Sequence, residues 1–103
     1  MNAENYVDVA SVDDIPDDEG ICVSVGDLKV ALFKHDGEIY ALNNVCPHQG
    51  APLHEGFYDD GIVTCPLHAW DFDVESGKVS GSTERAVTYP VRVSDSVVAI
   101  LVE

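Results

Sequence analysis

Apolar positions fall in short runs along this chain, separated by clusters of Asp, Gly, Pro and Ser, and no long window carries a helical period. Tyr6 to Ala10 alternates weakly and suits a short edge strand. Residues 11 to 20 hold Asp13, Asp14, Asp17, Asp18 and Glu19 with one Pro and one Gly, the composition of a solvated, turn-rich surface loop. Ile21 to Val25 is a compact run of mostly branched residues, so a strand, and Leu28 to His35 is a second one across the turn Gly26-Asp27. Asp36-Gly37 predicts a tight hairpin, because both central positions of such a turn need positive φ. Glu38 to Asn43 is the third strand, and residues 1 to 43 thus read as a β-meander.

Further along, Cys46 to Pro52 contains two prolines and a glycine and predicts an irregular loop. Phe57-Tyr58 and Ile62 to Thr64 flank Asp59-Asp60-Gly61, another hairpin signal. Cys65 to His68 is a second loop, Asp71 to Val74 a short strand and Ser76-Gly77 a turn. Ser80 to Glu84 is a polar connection. Val87 to Val93 and Val97 to Val102 are expected to pair across Ser94-Asp95-Ser96. No repeat or linker interrupts the pattern. The expected fold class is all-β, with many short antiparallel strands in a sandwich or small barrel, as a single domain over 1–103.

Composition adds boundaries. A chain of 103 residues, 46% of them hydrophobic, is enough for one packed core. The N-terminus shows no basic region followed by an apolar run, and no stretch approaches the roughly 20 apolar residues that span a bilayer. The expectation is a soluble, cytoplasmic protein with no membrane partner. A formal net charge of −14 argues against nucleic acid and anionic membranes. It favours a protein partner with a basic patch, although a solvated acidic surface or a saline habitat would produce the same count. Three cysteines are an odd number for a disulfide framework, and reduced thiols fit the cytosol.

Two of those cysteines carry the candidate chemistry. Cys46-Pro47-His48, sixteen intervening residues, and Cys65-Pro66-Leu67-His68 form the pattern C-x-H-x16-C-x2-H. Each loop supplies one thiolate and one imidazole, and a hairpin between them would bring all four to one metal site. A single zinc or an iron–sulfur cluster are the candidates. Zinc fingers pair two Cys in one arm and two His in the other. Here the pairs are mixed, and the one-residue gap between Cys46 and His48 suits a two-iron core better than one small ion.

At this point the sequence resembles the Rieske family, whose signature is a C-x-H pair followed by a C-x2-H pair at this separation. The resemblance extends to His48-Gln49-Gly50-Ala51-Pro52-Leu53, to Phe72-Asp73-Val74 through Gly77, and to Tyr89-Pro90-Val91-Arg92-Val93, so it covers essentially the whole chain. It implies an antiparallel β-sandwich of three small sheets with a cluster-binding hairpin-loop subdomain. The basal part would be about 1–43 and 81–103, the cluster-binding part about 44–80. It implies one 2Fe-2S cluster, with Cys46 and Cys65 on one iron and His48 and His68 on the other. Two ferric ions, two sulfides and two thiolates sum to a neutral core. Neutral imidazoles thus raise the potential above that of an all-cysteine cluster, to roughly −150 to +300 mV. High-potential relatives add a disulfide between the loops, where this chain has Ala51 and Leu67, and Ser and Tyr hydroxyls near the sulfurs, where it has Trp70 and Phe72. Fewer hydrogen bonds to sulfur place the expected potential at the lower end.

The chain leaves no room for a catalytic domain, so an electron carrier is expected rather than an enzyme. Resemblance to stand-alone Rieske ferredoxins implies electrons taken from an NAD(P)H-dependent flavoprotein reductase and passed to a terminal aromatic-ring-hydroxylating oxygenase. The contacts would be transient and the protein a monomer. The alternative is a small Rieske subunit or companion of an assimilatory NAD(P)H nitrite reductase, favoured by the run His68-Ala69-Trp70-Asp71-Phe72. A zinc-stabilised interaction module without redox chemistry is the reading from another class. Other residues have plainer expectations. Cys22 reads as a buried core thiol, and His35 and His54 as ordinary loop residues. Pro47 and Pro66 would stiffen the ligand loops, and Asp71, Asp73 and Glu75 form either a solvated strand face or a docking patch. Ser80 to Glu84 lacks the proline expected in a third loop covering the site.

Overall fold

In the computed structural model the described residues are 6–45, 52–65, 70–79, 81 and 85–101. The strands are β1 (Tyr6–Ser11), β2 (Ile21–Val25), β3 (Leu28–His35), β4 (Glu38–Asn43), β5 (Phe57–Asp59), β6 (Ile62–Thr64), β7 (Asp71–Asp73), β8 (Thr88–Tyr89), β9 (Val91–Ser94) and β10 (Val97–Leu101). They form three antiparallel sheets, ordered β1-β10-β9, β2-β3-β4-β8 and β5-β6-β7. This is the all-β architecture of three small sheets that the sequence implies.

The sheet β2-β3-β4-β8 is a wall with a core on each face. Val30, Ala31, Leu32 and Phe33 are all buried in succession. Side chains alternate between the faces of a strand, so this run divides between two cores. Val30 and Leu32, with Ile39 and Ala41 of β4, join Ile15, Val98 and Ile100 in a lower core. Ala31, Phe33 and Leu42 join Leu53, Tyr58, Val63, Cys65, Phe72, Val74, Val79 and Ala86 in an upper core. The upper core attaches β5-β6-β7, where Tyr58, Val63 and Phe72 are the buried middle residues of the three strands. The rings of Phe33 and Tyr58 meet at 4.8 Å between centroids, and the Tyr58 hydroxyl donates to the Lys34 carbonyl at 2.8 Å. Two hairpin turns carry the expected backbone, with φ of 53° and 80° at Asp36-Gly37 and 50° and 82° at Asp60-Gly61.

Several details differ from the sequence reading. The expected strand from Val87 to Val93 is two strands in different sheets, β8 beside β4 and β9 beside β10. Pro90 lies between them and has no N–H to give a ladder, so the chain changes sheet there, while its carbonyl accepts from Leu101 N–H at 3.0 Å. The meander covers only β2 to β4, because β1 pairs with β10 near the other end of the chain. The 11–20 loop contains a 3₁₀ turn, Val12–Asp14, closed by a capping box from Ser11, and it sends Ile15 into the lower core with 1% exposure. Cys22 is half-buried, not a core thiol: it lies on β2, an edge strand of its sheet, with its sulfur against the Asn44 side chain. Among the described residues no helix is long and apolar enough to cross a membrane.

Tyr58 generates a test. Burial, outweighing a hydrogen bond at Gly61, raises its pKa from 10.0 to about 12. The folded state therefore holds the phenolic proton more tightly than the unfolded chain. This contribution is complete below the unfolded pKa of 10.0 and disappears as pH rises toward about 12. Tyr58→Phe is expected to cost about 1 kcal/mol at neutral pH through the lost hydrogen bond, and to flatten the alkaline decline in stability between about pH 10 and 12. Denaturant melts at neutral and alkaline pH measure both effects.

Candidate metal centre

The two loops expected to carry ligands leave from the ends of β4 and β6, strands of two different sheets. The first departs at the end of β4, and residues 46–51, with Cys46 and His48, lie outside the described residues. Both of its feet are defined. Val45 and Pro52 form an isolated β-bridge, Leu53 N–H donates to the Asn44 carbonyl at 2.7 Å, and Val45 N–H donates to Asn43 Oδ1 at 2.9 Å.

The second loop departs from β6. Cys65 is described and is 1% exposed, while residues 66–69, with His68, lie outside. Cys65 N–H donates to the Trp70 carbonyl at 2.8 Å, and Thr64 Oγ1 donates to Asp71 Oδ1 at 2.7 Å, so this loop is also closed at its root. The feet of both loops belong to one packed body, because Leu53 and Cys65 share the upper core with Trp70 packed against it. Gly56, just after the first loop, lies against the end of β6. A Cβ there would overlap the Thr64 carbonyl. The connection 80–84, of which Ser80 and 82–84 lie outside the described residues, has its own root in the bridge between Lys78 and Arg85.

Of the four predicted ligands, the structure therefore describes Cys65 alone. It brings the roots of the two ligand loops together and leaves Cys46, His48 and His68 outside. Ala51 and Leu67 also lie outside, whereas Phe72 is fully buried and offers no hydroxyl. The donor chemistry fits a soft metal. Cys65 offers a soft sulfur donor within the upper core, the donor type that iron–sulfur clusters take. The site would accept a group held by two short loops whose donors are one thiol and one imidazole each.

A model of the Rieske [2Fe-2S] domain matches residues 5–93. The chain belongs to the Rieske [2Fe-2S] family. Its cofactor is one Rieske-type 2Fe-2S cluster. The chain is 37% identical over 102 residues to the ferredoxin component of the naphthalene 1,2-dioxygenase/salicylate 5-hydroxylase systems of Ralstonia sp., covering 97% of this chain and 98% of that one. Its fold is similar to the Sphingomonas yanoikuyae B1 ferredoxin, with a TM-score of 0.88 at 29% identity, covering 96% and 100% of the two chains. It is also similar to a chain in a complex of reduced oxygenase and oxidized ferredoxin in carbazole 1,9a-dioxygenase, with a TM-score of 0.83 at 27% identity, covering 91% and 99%.

Sequence reasoning passed over the polar residues at the feet of the first loop. Asn44 is buried and bonds to His54 and Cys22, neither of which had been given a role. Side-chain bonds between residues ten and twenty-two positions apart leave no periodic signal. His35, expected as an ordinary loop residue, is instead the last residue of β3, lying between Asp36 at 3.4 Å and Asp60 at 4.0 Å on two adjacent hairpin tips. The outer face of β5-β6-β7 carries exposed Phe57 and Ile62 beside Asp59, Asp71 and Asp73.

Gly56→Ala tests the close approach of the two loop roots. The Thr64 carbonyl is backbone inside a strand and cannot rotate away. The variant is expected to lose about 2 kcal/mol of stability, and thermal denaturation of the cluster-loaded protein followed at its visible absorption measures it.

Proposed function

We propose that this protein is a Rieske ferredoxin that carries single electrons from an NAD(P)H-dependent flavoprotein reductase to a terminal aromatic-ring-hydroxylating oxygenase. The observation that carries the reading is near-full-length similarity to a ferredoxin component at 37% identity, on a fold whose two loop roots converge beside buried Cys65. In this reading Cys46 and Cys65 hold one iron and His48 and His68 the other. Residues of about 44–80 form the cluster-binding part, and about 1–43 and 81–103 the basal part. The protein acts as a cytoplasmic monomer. The cluster supplies a one-electron site of moderate potential.

The chain's own residues set the conditions around that site. The buried upper core excludes water from beneath Cys65. Phe72 presents a ring where a hydroxyl would stabilise reduced sulfur, which supports a potential at the lower end of the family range. The imidazole edges of His48 and His68 form the electron's exit. The acidic outer face of β5-β6-β7, with its apolar Phe57 and Ile62, supports docking to a basic surface through a small transient contact below about 1,200 Å².

Two tests follow. Purified protein is expected to be red-brown with a midpoint potential well below about +200 mV, and His48→Ala and His68→Ala are each expected to abolish the Rieske spectrum. A colourless zinc protein, or both variants keeping the spectrum, contradicts the ligand set. In stopped-flow assays the rate of electron transfer to the oxygenase is expected to fall as salt rises from about 0.01 to 0.5 M. A salt-independent rate removes the role of the acidic face. Delivery to a nitrite reductase in place of an oxygenase assigns the alternative partner.

A further inference from the structure

We propose that Asn44 is a positioning residue for the cluster site: it ties the two described feet of the first ligand loop to each other and to β2, and so governs how firmly the cluster is held. The proposal rests on the ligand reading above. Asn44 is the buried polar residue among the described residues, at 5% exposure. Every hydrogen-bonding group it owns is in use. Its N–H donates to the Lys29 carbonyl at 2.9 Å, and its carbonyl accepts from Leu53 N–H at 2.7 Å. Its Oδ1 accepts from His54 N–H at 2.8 Å. Its Nδ2 lies 2.9 Å from His54 Nδ1 and donates to Cys22 Sγ at 3.5 Å.

The backbone N–H of His54 can only donate, so the oxygen of the amide must face it, and the orientation of Asn44 is determined. The His54 ring nitrogen Nδ1 lies 2.9 Å from Nδ2 and 3.2 Å from Oδ1, so the imidazole is held against the Asn44 amide. Through these bonds one side chain joins β2 at Cys22, the outgoing foot of the loop at Asn44 and the returning foot at His54. The segment 45–53 leaves Asn44 and comes back to it. Leu53 anchors the returning foot in the upper core, whereas Asn44 belongs to neither hydrophobic core and holds the outgoing foot through directional bonds. A loop whose feet are already closed has fewer arrangements to lose when its donors bind a metal. Apolar packing alone would locate the loop but leave its register free.

The test uses the cluster-loaded protein, with Asn44→Ala and Asn44→Asp. Alanine removes every side-chain bond. Aspartate keeps the acceptor for His54 N–H and loses both donated hydrogens. With far-UV circular dichroism unchanged, Asn44→Ala is expected to release iron to a chelator at least about tenfold faster than the parent, and to broaden or shift the EPR lines of the reduced state. Asn44→Asp should fall between the two. A merely structural residue would lower the melting temperature without moving the EPR lines or the release rate at a temperature where all three proteins are folded, and that result overturns the proposal. Failure of both variants to fold also overturns it, since Asn44 would then serve the core and not the loop. A parent protein with no Rieske EPR spectrum refutes the ligand reading itself, whereas a normal parent spectrum with unchanged variants refutes the positioning role alone.

Discussion

The upper hydrophobic core determines where two separate loops can meet. Leu53 follows one loop, Cys65 begins the other, and both are buried in a cluster built on Phe33, Tyr58, Val63 and Phe72. The described roots of both loops therefore depend on the packing of this core, where Phe→Ala costs about 3–5 kcal/mol.

Above that apolar base the control becomes polar. Cys65 and Trp70 are joined main chain to main chain, Val45 and Pro52 by a bridge, and Asn44 ties the first loop to β2 and to the 3₁₀ turn that follows the loop. Burial is non-directional, whereas hydrogen bonds choose a register. Burial gathers the roots of the loops, and the hydrogen bonds fix the register of their described feet. The middle sheet makes this possible by burying both faces, so that the lower core can hold β9, β10 and the N-terminal strand while the upper core holds the site.

What the sequence revealed follows from the range of each signal. β2, β3 and β4 were legible to the residue, because compact apolar runs rich in branched residues and the Asp36-Gly37 turn are local features. The turn at Asp60-Gly61 was legible for the same reason. The partner of β1 was not, since its pairing with β10 joins opposite ends of the chain. Pro90 was visible as a residue, but its effect depends on which sheet each side of it enters. The metal pattern was legible because ligand chemistry restricts residue type and spacing together. Asn44, His54 and Cys22 obey no such restriction and emerge only when distant side chains are placed side by side.

The central claim is that two mixed Cys/His loops, set by one core, hold a two-iron cluster with a histidine from each. The most direct measurement is pulsed EPR on the reduced protein grown with ¹⁵N-labelled histidine. The account predicts hyperfine coupling to two histidine nitrogens, one from His48 and one from His68. A spectrum without strong nitrogen coupling, or with a single coupled histidine, would contradict it.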